Sequence, residues 1–139
     1  MTDFAVLVRN ASERPSMYLP ERTFAAYAAY LDGFNAARDG APLSGFREWL
    51  ITRANTGNNL SWPALVQLIG AAGRACDQAA DPELPIRDAA ALVLEFLAYR
   101  EEHGLRGVFG EYEAWLRKQE WYDDERHGFR SPGARRPKT

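Results

Sequence analysis

The chain has 139 residues, 46% of them hydrophobic and 26% charged, with 17 basic and 19 acidic side chains and a formal charge of −2. That composition fits one globular domain and excludes a low-complexity chain, while the single cysteine, Cys76, excludes an internal disulfide and a cysteine-based zinc site. No apolar run approaches the roughly 18 to 20 residues that span a bilayer, and the opening MTDFAVLVRNASERP carries an acid where a secretion signal carries positive charge, so the chain is expected in the cytoplasm.

Hydrophobic residues recur at helical spacing nearly throughout, without period-two runs between hairpin turns, which predicts an all-α, single-domain bundle of about six helices. The first covers about Asp3 to Ser12, with Phe4, Leu7 and Val8 on one face, and stops before Pro15 because the residue preceding a proline is pushed out of helical geometry. The connector RPSMYL is expected to pack Met17, Tyr18 and Leu19 on apolar surface, as a hydrophobic staple does. The second helix is expected from Pro20, with Phe24, Tyr27, Leu31 and Phe34 as its stripe, and ends at Gly40 and Pro42. Ser44 is the expected cap of the third, carrying Phe46, Trp49, Leu50 and Arg53, which closes in the polar loop NTGNN from Asn55 to Asn59. Ser61 caps a fourth, with Trp62, Leu65, Val66, Ile69, Ala72 and Cys76 recurring helically.

After Asp81 and Pro82 comes the longest amphipathic run, with Ile86, Ala89, Val93, Phe96, Leu97 and Arg100, ending at His103 and a C′ glycine, Gly104. A sixth helix follows, with Val108, Phe109, Tyr112, Trp115 and Leu116 on its face. Trp49, Trp62, Leu31, Phe34, Val93 and Phe96 are the predicted core. Residues 1–127 form the predicted bundle domain, and 128–139 a basic tail rich in Pro, Gly and Arg that is expected to be disordered.

Charge is unevenly distributed. Residues 1–127 hold 13 bases against 19 acids, a balance of −6, and the other four bases lie in the last twelve residues. Such a body suits a basic protein partner better than a nucleic-acid backbone. From Glu101 to Glu125 eight acids face three bases, interleaved with Tyr112, Trp115, Trp121 and Tyr122. An exposed aromatic rimmed by charge is an interface anchor pattern, so Glu111, Glu113, Trp121, Tyr122, Asp123, Asp124 and Glu125 are the predicted partner-binding residues. The Asn55 to Asn59 loop and the helix ends beside it are the alternative docking surface.

Catalytic chemistry has little to stand on. Ser44, Ser61 and Ser131 sit where caps or turns are expected, Cys76 has no adjacent base to activate it, and Glu111 with Glu113 and Asp123 with Asp124 stand at spacings that share no helical face. Glu102 with His103, and Asp124 with His127, supply too few ligands for a metal centre. The expectation is therefore a protein without enzyme activity, cofactor or metal.

Two resemblances bear on function. RPSMYL, from Arg14 to Leu19, resembles the RPGMYIG segment near the start of the ATPase domain of DNA gyrase B subunits, but the Asp-x-Gly-x-Gly turn of that nucleotide site is not in this chain. Over a longer stretch, RPSMYL followed by a helix, then GFREWL and a later tryptophan-bearing helix, resembles the small, acidic, all-helical immunity proteins of bacterial polymorphic toxin systems. That resemblance implies stoichiometric binding and neutralisation of a cognate toxin, without nucleic acid or membrane, by a monomer or weak homo-oligomer. The competing expectation is a helical scaffold or regulatory adaptor that takes a partner helix into an apolar groove.

Overall fold

A computed structural model describes residues 3–72, 81 and 83–122. Those residues form six α-helices and no strand: α1 (Asp3–Glu13), α2 (Pro15–Tyr18), α3 (Phe24–Ala37), α4 (Phe46–Ala54), α5 (Trp62–Ala72) and α6 (Leu84–Arg117). The all-α bundle is as the sequence predicts, with its helices partitioned differently. Cys76, Asp123, Asp124, Glu125, His127 and the 128–139 tail lie outside the described residues.

The long α6 is the spine, and α1, α3, α4 and α5 all pack against it. Val8, Tyr27, Leu31, Phe46, Leu50, Ile51, Leu65, Val66, Ile86, Val93, Phe96 and Val108 are fully buried, so each helix except α2 contributes to one core. A run of rings crosses its middle: Phe96 lies 5.2 Å from Phe46 and 5.8 Å from Trp49, and Phe46 lies 5.6 Å from Trp62. These tilted contacts add to the area that the rings remove from water. Of the six predicted core residues, Leu31, Trp49, Val93 and Phe96 are buried, whereas Phe34 and Trp62 are only partly so. Trp62 keeps its indole N–H near the surface because it donates to Asp32 Oδ1 at 2.7 Å.

RPSMYL is not a loop. Pro15 occupies the first turn of α2 without losing a hydrogen bond, and Leu19 N–H returns to Pro15 O at 2.8 Å. Only half of the expected staple forms, because Leu19 is 7% exposed but Met17 and Tyr18 are 69% and 40% exposed. One helical turn points a minority of its side chains at the core, and here these are Pro15 and Leu19. The following helix begins at Phe24 rather than near Pro20, since Leu19 is extended ahead of Pro20 and Thr23 caps the helix by accepting Ala26 N–H at 3.1 Å.

Ser44 does not cap α4. That position is Gly45, at φ 87°, while Ser44 uses its carbonyl to accept Arg100 Nη1 at 3.0 Å. The expected break at Gly104 is present, but helical hydrogen bonding resumes at once, so two predicted helices form one element with two limbs, 84–103 and 105–117. Gly104 has φ 71° and ψ 174°, a combination open in practice only to glycine. The break turns the second limb over Gly45 and the loop after α4, where the site lies.

Candidate functional site

A cleft of about 430 Å³ lies between the Asn55–Asn59 loop and the end of α6, lined by Asn55, Thr56, Gly57, Asn58, Asn59, Trp115, Gln119 and Trp121. No lining side chain is charged, and the chemistry it offers is amide, hydroxyl and indole.

The loop is held in one shape by its own sequence. Asn55 closes α4 in the left-handed region, at φ 56°, which asparagine tolerates better than most residues, and its N–H returns to Ile51 O at 2.8 Å. Gly57 stands at φ 85°, and a Cβ there would meet Leu65 Cδ2 at 2.6 Å. Arg47 braces the loop from α4, donating from Nε to Leu60 O at 2.7 Å and from Nη2 to Asn58 O. The second limb of α6 then closes over it: Trp115 Nε1 donates to Asn55 Oδ1 at 2.7 Å, and the Tyr112 hydroxyl bonds Asn58 Oδ1. Buried aromatics with polar tips require such partners, and these bonds fix the orientation of both amides.

Trp121 forms the outer wall. It is 48% exposed, against 9% for Trp115, and packs edge-on to Trp115 with centroids 6.1 Å apart. Gln119 Nε2 donates to Trp115 O at 2.9 Å, tying the turn beyond α6 to the helix end, and Tyr122 N–H bonds Gln119 O at 3.1 Å. Tyr122 is half-buried, with the Arg117 guanidinium 5.9 Å over its ring, and Arg117 Nη2 pairs with Glu113 Oε1 at 2.8 Å.

The predicted partner-binding residues therefore do not share one patch. Trp121, Tyr122 and Glu113 gather at the end of α6. Glu111, two residues before Glu113, borders a different cleft of about 280 Å³ with Trp49, Thr52, Arg53, Glu95 and Tyr99. Arg53 pairs there with Glu95 and lies 5.0 Å over the Trp49 ring. The Tyr99 phenol is pushed up to about 12 by desolvation first, then by donating to Glu111 and by the charges of Glu111 and Glu102. Asp123, Asp124 and Glu125 lie outside the described residues.

In the sequence Asn55 to Asn59 stands only as an alternative surface, and nothing there marks Gln119. The available signal was three asparagines within five residues, more than a helix-to-helix connection needs, and a later helix bringing two aromatics whose donors must find acceptors. Among the described residues no group of three or more His, Cys, Asp or Glu side chains gathers as a metal site, and His103 Nε2 has Glu102 Oε2 at 3.7 Å. No helix of the described residues is long and apolar enough to cross a membrane.

Fold and site together define an all-helical bundle with an uncharged, tryptophan-walled cleft at one end. Comparison with known proteins finds no matching family model, no matching curated protein and no matching solved structure.

Proposed function

We propose that this chain is an immunity-type protein that binds a cognate basic toxin stoichiometrically and neutralises it without catalysis. The observation that carries the reading is Trp121, a large ring nearly half exposed, braced by Trp115 and standing beside a rigid amide loop. A pre-organised aromatic next to satisfied polar groups loses little entropy when a partner covers it. The sequence supports the charge of the partner, because residues 1–127 carry a balance of −6 and the stretch from Glu101 to Glu125 holds eight acids against three bases. Docking centres on Trp121, Tyr122 and the Asn55–Asn59 loop, with Glu113 at the rim, and Glu111 contributes only to the longer-range field.

The test is functional first: co-expression with the toxin identified by pull-down should restore growth, and a partner that stays fully active when bound would end the immunity reading. Surface plasmon resonance then resolves the face. Converting Asp123, Asp124 and Glu125 to Lys should slow association and flatten its salt dependence, whereas Trp121→Ala should speed dissociation, at a cost of about 2 kcal/mol. Unaltered rates in both variants would move the interface away from this end.

A further inference from the structure

The seam between α1 and the first limb of α6 opens into two adjacent hollows, of about 480 Å³ and about 390 Å³. Leu97 and Arg100 border both. Ala5 and Ala98 line the larger hollow and Ala41 the smaller, and bulkier side chains at these positions would fill it. The walls are alkyl and aromatic: Leu94 and Leu97 from α6, and Phe4 stacked on Phe34 with centroids 5.4 Å apart.

Three guanidiniums, those of Arg9, Arg38 and Arg100, stand at this groove. Four other arginines find carboxylates: Arg22 pairs with Glu83, Arg53 with Glu95, Arg87 with Asp81 and Arg117 with Glu113. Among the described residues, none of the three groove arginines makes an ion pair, although Asp3 and Glu101 also border the groove. Arg100 is the most constrained. Its Nη1 donates to Ala41 O at 3.1 Å and Ser44 O at 3.0 Å, its carbon lies 5.0 Å over the Phe96 ring, and burial lowers its pKa. Those two bonds occupy one nitrogen of a group with five N–H donors. A partly desolvated cation gains more from an anion than a fully hydrated one does.

We propose that this groove binds a single-chain anionic amphiphile, a long-chain carboxylate whose tail lies along Phe4, Leu94 and Leu97 and whose head pairs with Arg38 and Arg100. The alkyl walls select against a wholly polar anion, and the unpaired guanidiniums select against a neutral or cationic head. The site is separate from the Trp121 cleft, so it stands or falls independently of toxin binding.

Isothermal titration of the full chain with decanoate, decan-1-ol and decyltrimethylammonium below their micellar concentrations tests the assignment. Expected is one decanoate per chain, with the alcohol on the order of tenfold weaker and the ammonium weaker still. The double variant Arg9→Glu/Arg38→Glu, changed at two exposed positions, should lose about tenfold in decanoate affinity while keeping its circular dichroism melt. Ala98→Trp should block the larger hollow; if that variant does not fold, the arginine pair decides. Equal affinity for the three amphiphiles, no saturable decanoate binding, or undiminished binding by the arginine variant would overturn the proposal. So would binding to phosphatidylglycerol vesicles without binding to decanoate, which would assign the groove to a membrane surface.

Discussion

Phe96 illustrates how much of the stability rests on single side chains. It is fully buried, within 6 Å of the Phe46 and Trp49 rings, and carries the Arg100 guanidinium on its face. Phe96→Ala removes a ring that its neighbours cannot replace, so chemical denaturation should show a loss of about 3 to 5 kcal/mol. The short α2 gives a sharper contrast between adjacent residues. Leu19 is buried and Tyr18 is exposed, so Leu19→Ala should cost about 2 to 5 kcal/mol and Tyr18→Ala about 0.5 kcal/mol or less. The hydrophobic character of both was plain in the sequence. Which one faced inward was not, because one turn is too short for a periodicity to declare its buried side.

Helix stripes were legible because i, i+3, i+4 spacing is a local property: Tyr27 and Leu31, Phe46 and Leu50, Val93 and Phe96 all lie where their helices meet the core. Helix ends were less so. Ser44 has the right chemistry for a cap, yet the chain enters α4 through Gly45 in a left-handed turn, and Arg100 from α6 claims the Ser44 carbonyl. Such competition comes from distant residues. The two glycines that shape the site separate backbone from packing effects. A Cβ on Gly104 meets no atom within 4 Å, so Gly104→Ala pays only for its dihedrals, about 1 to 3 kcal/mol, whereas Gly57→Ala also collides with Leu65 and should cost about 2 to 4 kcal/mol. Parallel urea titrations would show whether the order holds.

At the scale of the molecule, buried and paired phenols make stability depend on alkaline pH. Desolvation raises the Tyr27 pKa even though its hydroxyl donates to Val8 O at 2.9 Å, and the Tyr99 phenol is pushed up to about 12. Both ionise near 10 when unfolded. Between the unfolded and folded values the native chain holds protons that the unfolded chain releases, so stability is intact below about pH 10 and falls as pH rises through the folded values. Thermal melts across that range should show the decline. Tyr27→Phe should reduce the slope, at a cost near neutrality of about 1 kcal/mol for the lost hydrogen bond.

The sequence by itself determined the helical class, the absence of a membrane-spanning run and most of the core, since these follow from composition and from spacing within a few residues. It also determined the acidic balance of the stretch from Glu101 to Glu125, because charge is additive along a chain. Tertiary structure decided the rest. Asn55 and Trp115 are 60 positions apart, and their hydrogen bond turns a polar connector into one wall of a cleft. Glu111 and Glu113 are neighbours in sequence, but 100° per residue on a helix sends them to different faces and different partners. The arginine-rimmed groove belongs to the same category: Arg9 and Arg38 are far apart in a linear reading, and they border neighbouring hollows that share Arg100 only because α1 and the end of α3 both pack against α6.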